Sequence, residues 1–304
     1  MKGEVGVDAL KVVGKSAAGV APSLLAYDVD RDFLITEDFA PRRTLHSVLS
    51  NGLATRGGIA GLHTFAATMA RLHAATAAVP TGGPWDDSAR ILIRLESASS
   101  LLDRLHDLVP VTRGTRADVA AALAEIDQPE AFAAFSNGDS GANNCLVDAD
   151  GGDGRLIDFE QACRRHVLLD AAALHVPGSM WMTVADPVPL GVERTYREVA
   201  GTALPAVLDD ELYGFGLAAA CAVTALTRLE RFDKLDGRDP GHNSRPHLVT
   251  TLDRTVDTMT RWGELAGLAS WLGEVARALR NRWPDADLAF PDDYTLREPF
   301  HPDH

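Results

Sequence analysis

The chain of 304 residues is 46% hydrophobic and 24% charged, the make-up of a folded protein with core enough for one large domain or two modest ones. Its net charge of −14 excludes a general nucleic-acid binder, which needs a basic footprint, while an acidic surface favours solubility and is compatible with a cationic small molecule. Three cysteines, none in a C-x-x-C pair, exclude a disulfide framework and a zinc ribbon.

The N-terminus opens without an apolar signal core, and no run approaches the ~18 consecutive apolar residues of a membrane span. A cytoplasmic protein with no membrane partner is therefore expected. From there the chain reads as a helix over 4–14, a strand at Leu24–Asp28, a turn, and a returning strand at Phe33–Glu37. Ile59, Leu62, Phe65, Ala66, Met69 and Leu72 recur at spacings of three and four, which predicts an amphipathic helix over 57–76. Two more helices are expected over 91–108 and 116–126.

The pattern then changes. Asn144–Asp148 and Arg155–Phe159 are short β-type stretches joined by the turn-rich run 149–154. Beyond Asp170 the chain returns to Ala- and Leu-rich helices, expected near 190–204, 210–232, 246–266 and 268–281, with an irregular Pro- and Asp-containing tail after Trp283. The fold class is thus α+β.

The chemistry concentrates in Asn137-Gly138-Asp139-Ser140-Gly141-Ala142-Asn143-Asn144 and in Ile157-Asp158-Phe159-Glu160. Transfer of a γ-phosphoryl group needs an oriented hydroxyl and neutralised charge more than covalent help from the protein. Asp139 has the chemistry to orient a hydroxyl and take its proton. Asn144 and Asp158 offer oxygens to the hard cation Mg²⁺, and a hairpin between them would bring both to one ion. These residues point to ATP and Mg²⁺ as cofactors and to a small-molecule hydroxyl as acceptor.

Competing motifs fit less well. Gly138-Asp139-Ser140-Gly141 is similar to a serine-protease nucleophile segment, but His46, His63, His73 and His106 lie in predicted helices and not in a double β-barrel. Val13-Gly14-Lys15-Ser16 ends like a phosphate-binding loop, yet Ala9 stands where its first Gly belongs and a helix precedes it, so Gly14 reads as a helix C-cap. Asp148–Asp153 fails the calcium-loop pattern, because Gly152 and Phe159 occupy ligand positions. Glu193, Glu198, Asp209, Asp210 and Glu211 read as a solvated helix face. Trp181, Trp262, Trp271 and Trp283 read as core anchors. The remaining histidines, His301 and His304 among them, show no metal spacing.

On the catalytic-loop and Ile-Asp-Phe-Glu motifs, the sequence resembles the aminoglycoside phosphotransferase and choline kinase-like family, relatives of the protein kinases. Gly138, Asp139, Asn144 and Asp158-Phe159-Glu160 match that family's pattern, and Asn137 stands where it has His. Asp170 matches an Asp that braces the catalytic loop. The run Leu34–Phe39 is similar to the approach to an interlobe hinge, so the resemblance implies that the backbone of Glu37, Asp38 and Phe39 faces adenine. Ala70-Arg71-Leu72-His73 matches the long helix after that hinge. The likeness runs from about residue 9 to at least 175.

It implies a protein-kinase-like fold with a truncated small lobe and hinge at 1–40 and a helical lobe with the catalytic hairpin at 41–304. The family's Gly-rich loop and strand lysine have no counterpart here: Lys2 stands too near the first helix, and Glu4 is out of register for the usual helix Glu. A late start codon is the expected reason, with loss of the phosphate grip as the alternative. The implied activity is phosphotransfer to an aminoglycoside-like, choline-like or sugar-like hydroxyl. The alternative is a catalytically inactive scaffold or ligand-binding protein.

Overall fold

The computed structural model describes residues 2–28, 30–31, 33–49, 57–80, 93–177, 187–240 and 244–287. The side chains of Lys2 and Glu4, together with Trp181, His301, His304 and the rest of the predicted tail beyond 287, lie outside the described residues.

The first helix, α1 (Lys2–Ser16), runs past Gly14, which sits inside it with open space around a would-be Cβ. The expected C-cap at Gly14 is therefore corrected: the turn out of the helix comes at Gly19, whose φ of +79° suits a residue without a Cβ. Next, β1 (Leu24–Asp28) and β2 (Phe33–Thr36) form an antiparallel pair with Asp28 opposite Phe33 and an irregularity at Leu24/Ala26. Leu25, Tyr27, Phe33, Leu34 and Ile35 remain exposed on this hairpin. This is the small strand-containing region of the expected α+β layout.

After β2, a short β3 (Arg43–Thr44) and α2 (Leu45–Leu49) lead to the long α3 (Gly58–Thr76). Its apolar stripe is fully buried at Leu62, Phe65, Ala66, Met69 and Leu72, as the spacing predicts, whereas Ile59 in the first turn, expected in the same stripe, is exposed. The expected helix over 91–108 is shorter, α4 (Leu95–Leu105), and α5 spans Arg113–Asp127. Thr112 caps α5 by accepting from the Thr115 amide at 3.0 Å, which fixes the start three residues before the periodicity does.

Between α5 and the later helices lie four short strands: β4 (Ala133–Ser136), β5 (Cys145–Val147), β6 (Gly154–Leu156) and β7 (Cys163–His166). The predicted hairpin exists as β5–β6, extended by β3 on the far side of β5. The β4–β7 pair was not expected. All of β4 is buried, so its Phe-Ala-Ala-Phe-Ser context carries no polar alternation to mark a strand. The turn of β5–β6 is polar, with Asp148 accepting from the Gly152 amide at 2.7 Å.

The larger part is helical: α6 (Leu168–Ala171), α7 (Val192–Ala200), α8 (Asp210–Leu229), α9 (Phe232–Asp236), α10 (Ser244–Trp262) and α11 (Ala266–Arg282). The helix expected over 190–204 is shorter, and the one expected over 210–232 is split. The first ends at Ala200 before a turn at Pro205–Leu208; the second breaks between α8 and α9. Asp209 caps α8 by accepting from the Glu211 and Leu212 amides, at 3.0 and 3.1 Å. Helix α8 is as long and apolar as a membrane span, yet 72% of its apolar window is buried inside the protein, against α5 and α10. Trp271 and Trp283 are buried, as core anchors should be.

One polar expectation is overturned. Glu193 is buried beside His175, with Nε2 to Oε2 at 3.4 Å, and so does not belong to a solvated face. The acid-rich run misleads because α7 turns this one carboxylate inward.

Candidate active site

Gly138 lets the loop 137–144 form. Its φ is +88°, and an added Cβ would lie 2.1 Å from the Gln161 carbonyl oxygen. Gly138→Ala therefore combines a left-handed backbone penalty of ~1–2 kcal/mol with a main-chain clash, and a total loss of about 3 kcal/mol or more is expected in urea unfolding. A loss below ~1 kcal/mol would mean that the loop can relax.

The loop that follows is tied to both neighbouring segments. Asn137 donates through Nδ2 to the Ile157 carbonyl at 3.0 Å and to the Asp139 carbonyl at 3.3 Å, and its Oδ1 accepts from Ser140 Oγ at 3.2 Å. A side-chain amide, offering donors and an acceptor together, is suited to this bracing. Behind it, Ser136 Oγ accepts from the Gly138 amide at 2.9 Å and donates to Asp170 Oδ1 at 3.0 Å.

Asp170 is the buried hub. Its Oδ1 also receives Arg165, and its Oδ2 faces His73 Nε2 at 2.9 Å. His73 Nδ1 in turn meets the Tyr196 hydroxyl at 3.0 Å. Burial alone would raise the Asp170 pKa, but the Arg165 charge and the His73 hydrogen bond outweigh it and hold the carboxyl well below the usual range. The chain Tyr196–His73–Asp170–Ser136 thus carries α7 and α3 through to the loop. Sequence reading placed Asp170 there but missed Tyr196, Arg165 and Ser136, because residues from separate helices and strands leave no shared spacing.

The proposed chemical residues converge. Asn144 donates through Nδ2 to Asp139 Oδ2 at 3.1 Å and to the Asp139 carbonyl at 3.0 Å. Strand register then brings Asp158 alongside. Cys145 pairs with Leu156, and one step outward the Ile157 amide donates to the Asn144 carbonyl at 2.9 Å. Asp158 follows directly, in the left-handed region at φ +62°, which Asp tolerates better than most residues. Partial desolvation raises its pKa; the negative charges of Glu160 and Asp139 raise it further, against a hydrogen bond from the Glu160 amide. Glu160, whose role sequence reading left open, is therefore part of the local field.

Asp158 also lies on a cavity of about 670 Å³ shared with the hinge-like run. Glu37, Asp38 and Phe39 form one wall; Leu10, Leu34, Leu146 and Ile157 supply apolar surface. The Glu37 carboxylate is drawn back onto Ser23, accepting from its amide at 3.2 Å and its hydroxyl at 3.0 Å. Asp38 Oδ1 likewise accepts from the Ala40 amide at 3.0 Å. One oxygen of each carboxylate is so held, and the wall also offers a ligand backbone: among the described residues no hydrogen bond engages the Glu37 carbonyl or the Phe39 amide.

Phe39 is buried under the guanidinium groups of Arg42 and Arg155, at 5.7 and 5.9 Å from its ring centre, and both arginines pair with Asp153. The hinge-like wall is thereby fastened to the turn of the β5–β6 hairpin.

No protein-family model and no curated protein matches the chain. Its fold is similar to those of solved kinases. One is the choline kinase from Cryptosporidium parvum Iowa II, at 12% identity and a TM-score of 0.47, covering 89% of this chain and 82% of that one. Another is the gentamicin complex of the aminoglycoside phosphotransferase APH(2")-IIa, at 10% identity and a TM-score of 0.43, covering 91% and 82%.

The donor set fits a hard divalent cation. Asn144 and Asp158 both carry side-chain oxygens and stand on paired backbone segments, and Asp158 sits in an anionic field that a cation would relieve. Among the described residues no three His, Cys, Asp or Glu side chains form a metal cluster, so any cation here completes its shell with Asn oxygen, ligand oxygens and water.

Proposed function

We propose that the protein transfers the γ-phosphoryl group of ATP, with Mg²⁺, to a hydroxyl of a small molecule. The observation that supports this reading best is that Asn144 holds Asp139 and pairs through its carbonyl with Ile157, next to Asp158, which lines a cavity walled by Glu37–Phe39. The adenine end of the nucleotide would lie against Glu37–Phe39 and the apolar side chains of Leu34, Leu146 and Ile157. Asn144 and Asp158 would hold the cation, which when bound neutralises phosphate charge. Asp139, kept in place by Asn144, would orient the acceptor hydroxyl and take its proton. Aminoglycoside-like, choline-like and sugar-like hydroxyls are the acceptor classes to test.

One observation favours a second reading, a ligand-binding protein without catalysis. Among the described residues, the charged ones lining the cavity, Glu37, Asp38, Asp158 and Glu160, are all acidic, and none of the lining residues is Lys or Arg. Without a protein cation on the phosphates, charge stabilisation would fall to the metal alone.

Calorimetry with Mg·ATP and ADP release over an acceptor panel separate the two. Asp139→Asn is expected to retain nucleotide affinity while losing about 10²–10⁴-fold in transfer rate. Binding without turnover across the panel would support the second reading. Absence of Mg·ATP binding by the folded chain would remove the first.

A further inference from the structure

Among the described catalytic-loop side chains, Asn143 stands out as having a buried polar atom without a partner, its Oδ1. Its Nδ2, meanwhile, donates to Asn144 Oδ1 at 2.9 Å. An amide hydrogen thus points at the oxygen that would hold a cation, while a second oxygen of the same type is turned away into packed space. A half-turn of the Asn143 carboxamide exchanges its nitrogen and oxygen while leaving the remaining heavy atoms in place. The two oxygens of Asn143 and Asn144 would then stand roughly 3 Å apart, a repulsive contact unless a cation lies between them. Adjacent ligands in an octahedral Mg²⁺ shell, with bonds of about 2.1 Å, are also about 3 Å apart.

We propose that Asn143 is a further ligand of the divalent cation: its carboxamide turns over on cation binding, and Oδ1 joins Asn144 Oδ1 along one edge of the shell. The proposal rests on the reading that Asn144 and Asp158 hold that cation. It also gives Gly141 a reason. A Cβ at residue 141 would lie 2.3 Å from Asn143 Oδ1, so a larger residue displaces the carboxamide. After the half-turn Nδ2 occupies this place, and Asp139 Oδ1 lies 3.9 Å from the same Cβ position.

The test is titration of the full chain with MnCl₂, following free Mn²⁺ by electron paramagnetic resonance, with a thermal melt of every variant. Asp158→Ala defines the site in question. Asn143→Ala is expected to weaken it about tenfold. Gly141→Ala, which keeps the carboxamide but displaces it, should act in the same direction. Asn143→Asp should tighten it about tenfold, since both of its terminal atoms are oxygens, whereas Ser140→Asp, the same charge nearby, should change it less than about threefold.

Weaker binding in Asn143→Asp would show that Asn143 serves only as a donor to Asn144, and the proposal would fall. Equal tightening by Ser140→Asp would reduce the effect to general charge and overturn it too. If the wild-type chain shows no Asp158-dependent Mn²⁺ site, the cation reading itself fails and takes the proposal with it. If that site is present but indifferent to Asn143, only the proposal fails.

Discussion

Asp170→Ala is expected to destabilise the protein by about 3–5 kcal/mol, the usual cost of removing one partner from a buried charge pair. Asp170 is 1% exposed, and its loss strands the Arg165 guanidinium, His73 and the Ser136 hydroxyl in an interior that offers little water. For a chain of this size the midpoint of thermal unfolding should fall by roughly 5–8 °C.

The pH dependence of the wild type has a definite sign. A carboxyl whose folded pKa is depressed contributes stability above its unfolded value, ~3.9, and loses that contribution as pH falls through the folded value. Asp170 should therefore still be stabilising at pH 4, and the gap between wild type and variant should close only in stronger acid. Removing Arg165 as well, in an Arg165→Met, Asp170→Leu double variant, should recover part of the loss, because no uncompensated charge remains. A single-variant loss below ~1 kcal/mol would mean that water reaches the network and that it does not brace the loop.

That network also shows where sequence reading succeeds and where it stops. The loop and hairpin were legible because their parts are local: Gly138, Asp139 and Asn144 lead into, and Asp158 follows, one strand–turn–strand unit whose register follows from turn residues and alternation. The long α3 was legible for the same reason, its apolar stripe repeating at helical spacing. The β4 strand escaped because burial on both faces erases alternation. Tyr196 and Arg165 escaped because their contacts with His73 and Asp170 join elements far apart in sequence or hidden within the core. Glu193 was misread because composition gives a helix its charge but not the direction in which each side chain points. Caps carried information that periodicity did not: Thr112 and Asp209 set helix starts through hydroxyl and carboxylate bonds to backbone amides.

At Asp158, by contrast, the expected result is a separation of stability from binding. Asp158→Asn should abolish Mg²⁺-dependent nucleotide binding while leaving the melting temperature at pH 7 unchanged or higher. The carboxyl pKa is raised in the folded state by desolvation and by Glu160 and Asp139. A group of that kind adds stability while protonated, below its unfolded pKa, and loses the contribution as pH rises through the folded value. At neutral pH the ionised Asp158 is thus a burden on the folded chain unless a cation lies against it, and the neutral amide removes the burden. Asn also accepts the φ of +62°.

Asp158→Ala should lose binding equally but melt lower than Asp158→Asn, since alanine bears a left-handed penalty of ~1–2 kcal/mol. Cation affinity in the wild type should weaken as pH is lowered through the raised pKa, because the proton and the metal compete for one carboxylate. Glu160→Gln removes part of the repulsion and should move that midpoint to lower pH. Calorimetric Mg²⁺ titrations between pH 4 and 8, paired with melts, read both effects. A markedly lower melting temperature for Asp158→Asn at pH 7 would show that Asp158 serves the fold; the anionic field it shares with Asp139 and Glu160 would then not be a site kept for a cation.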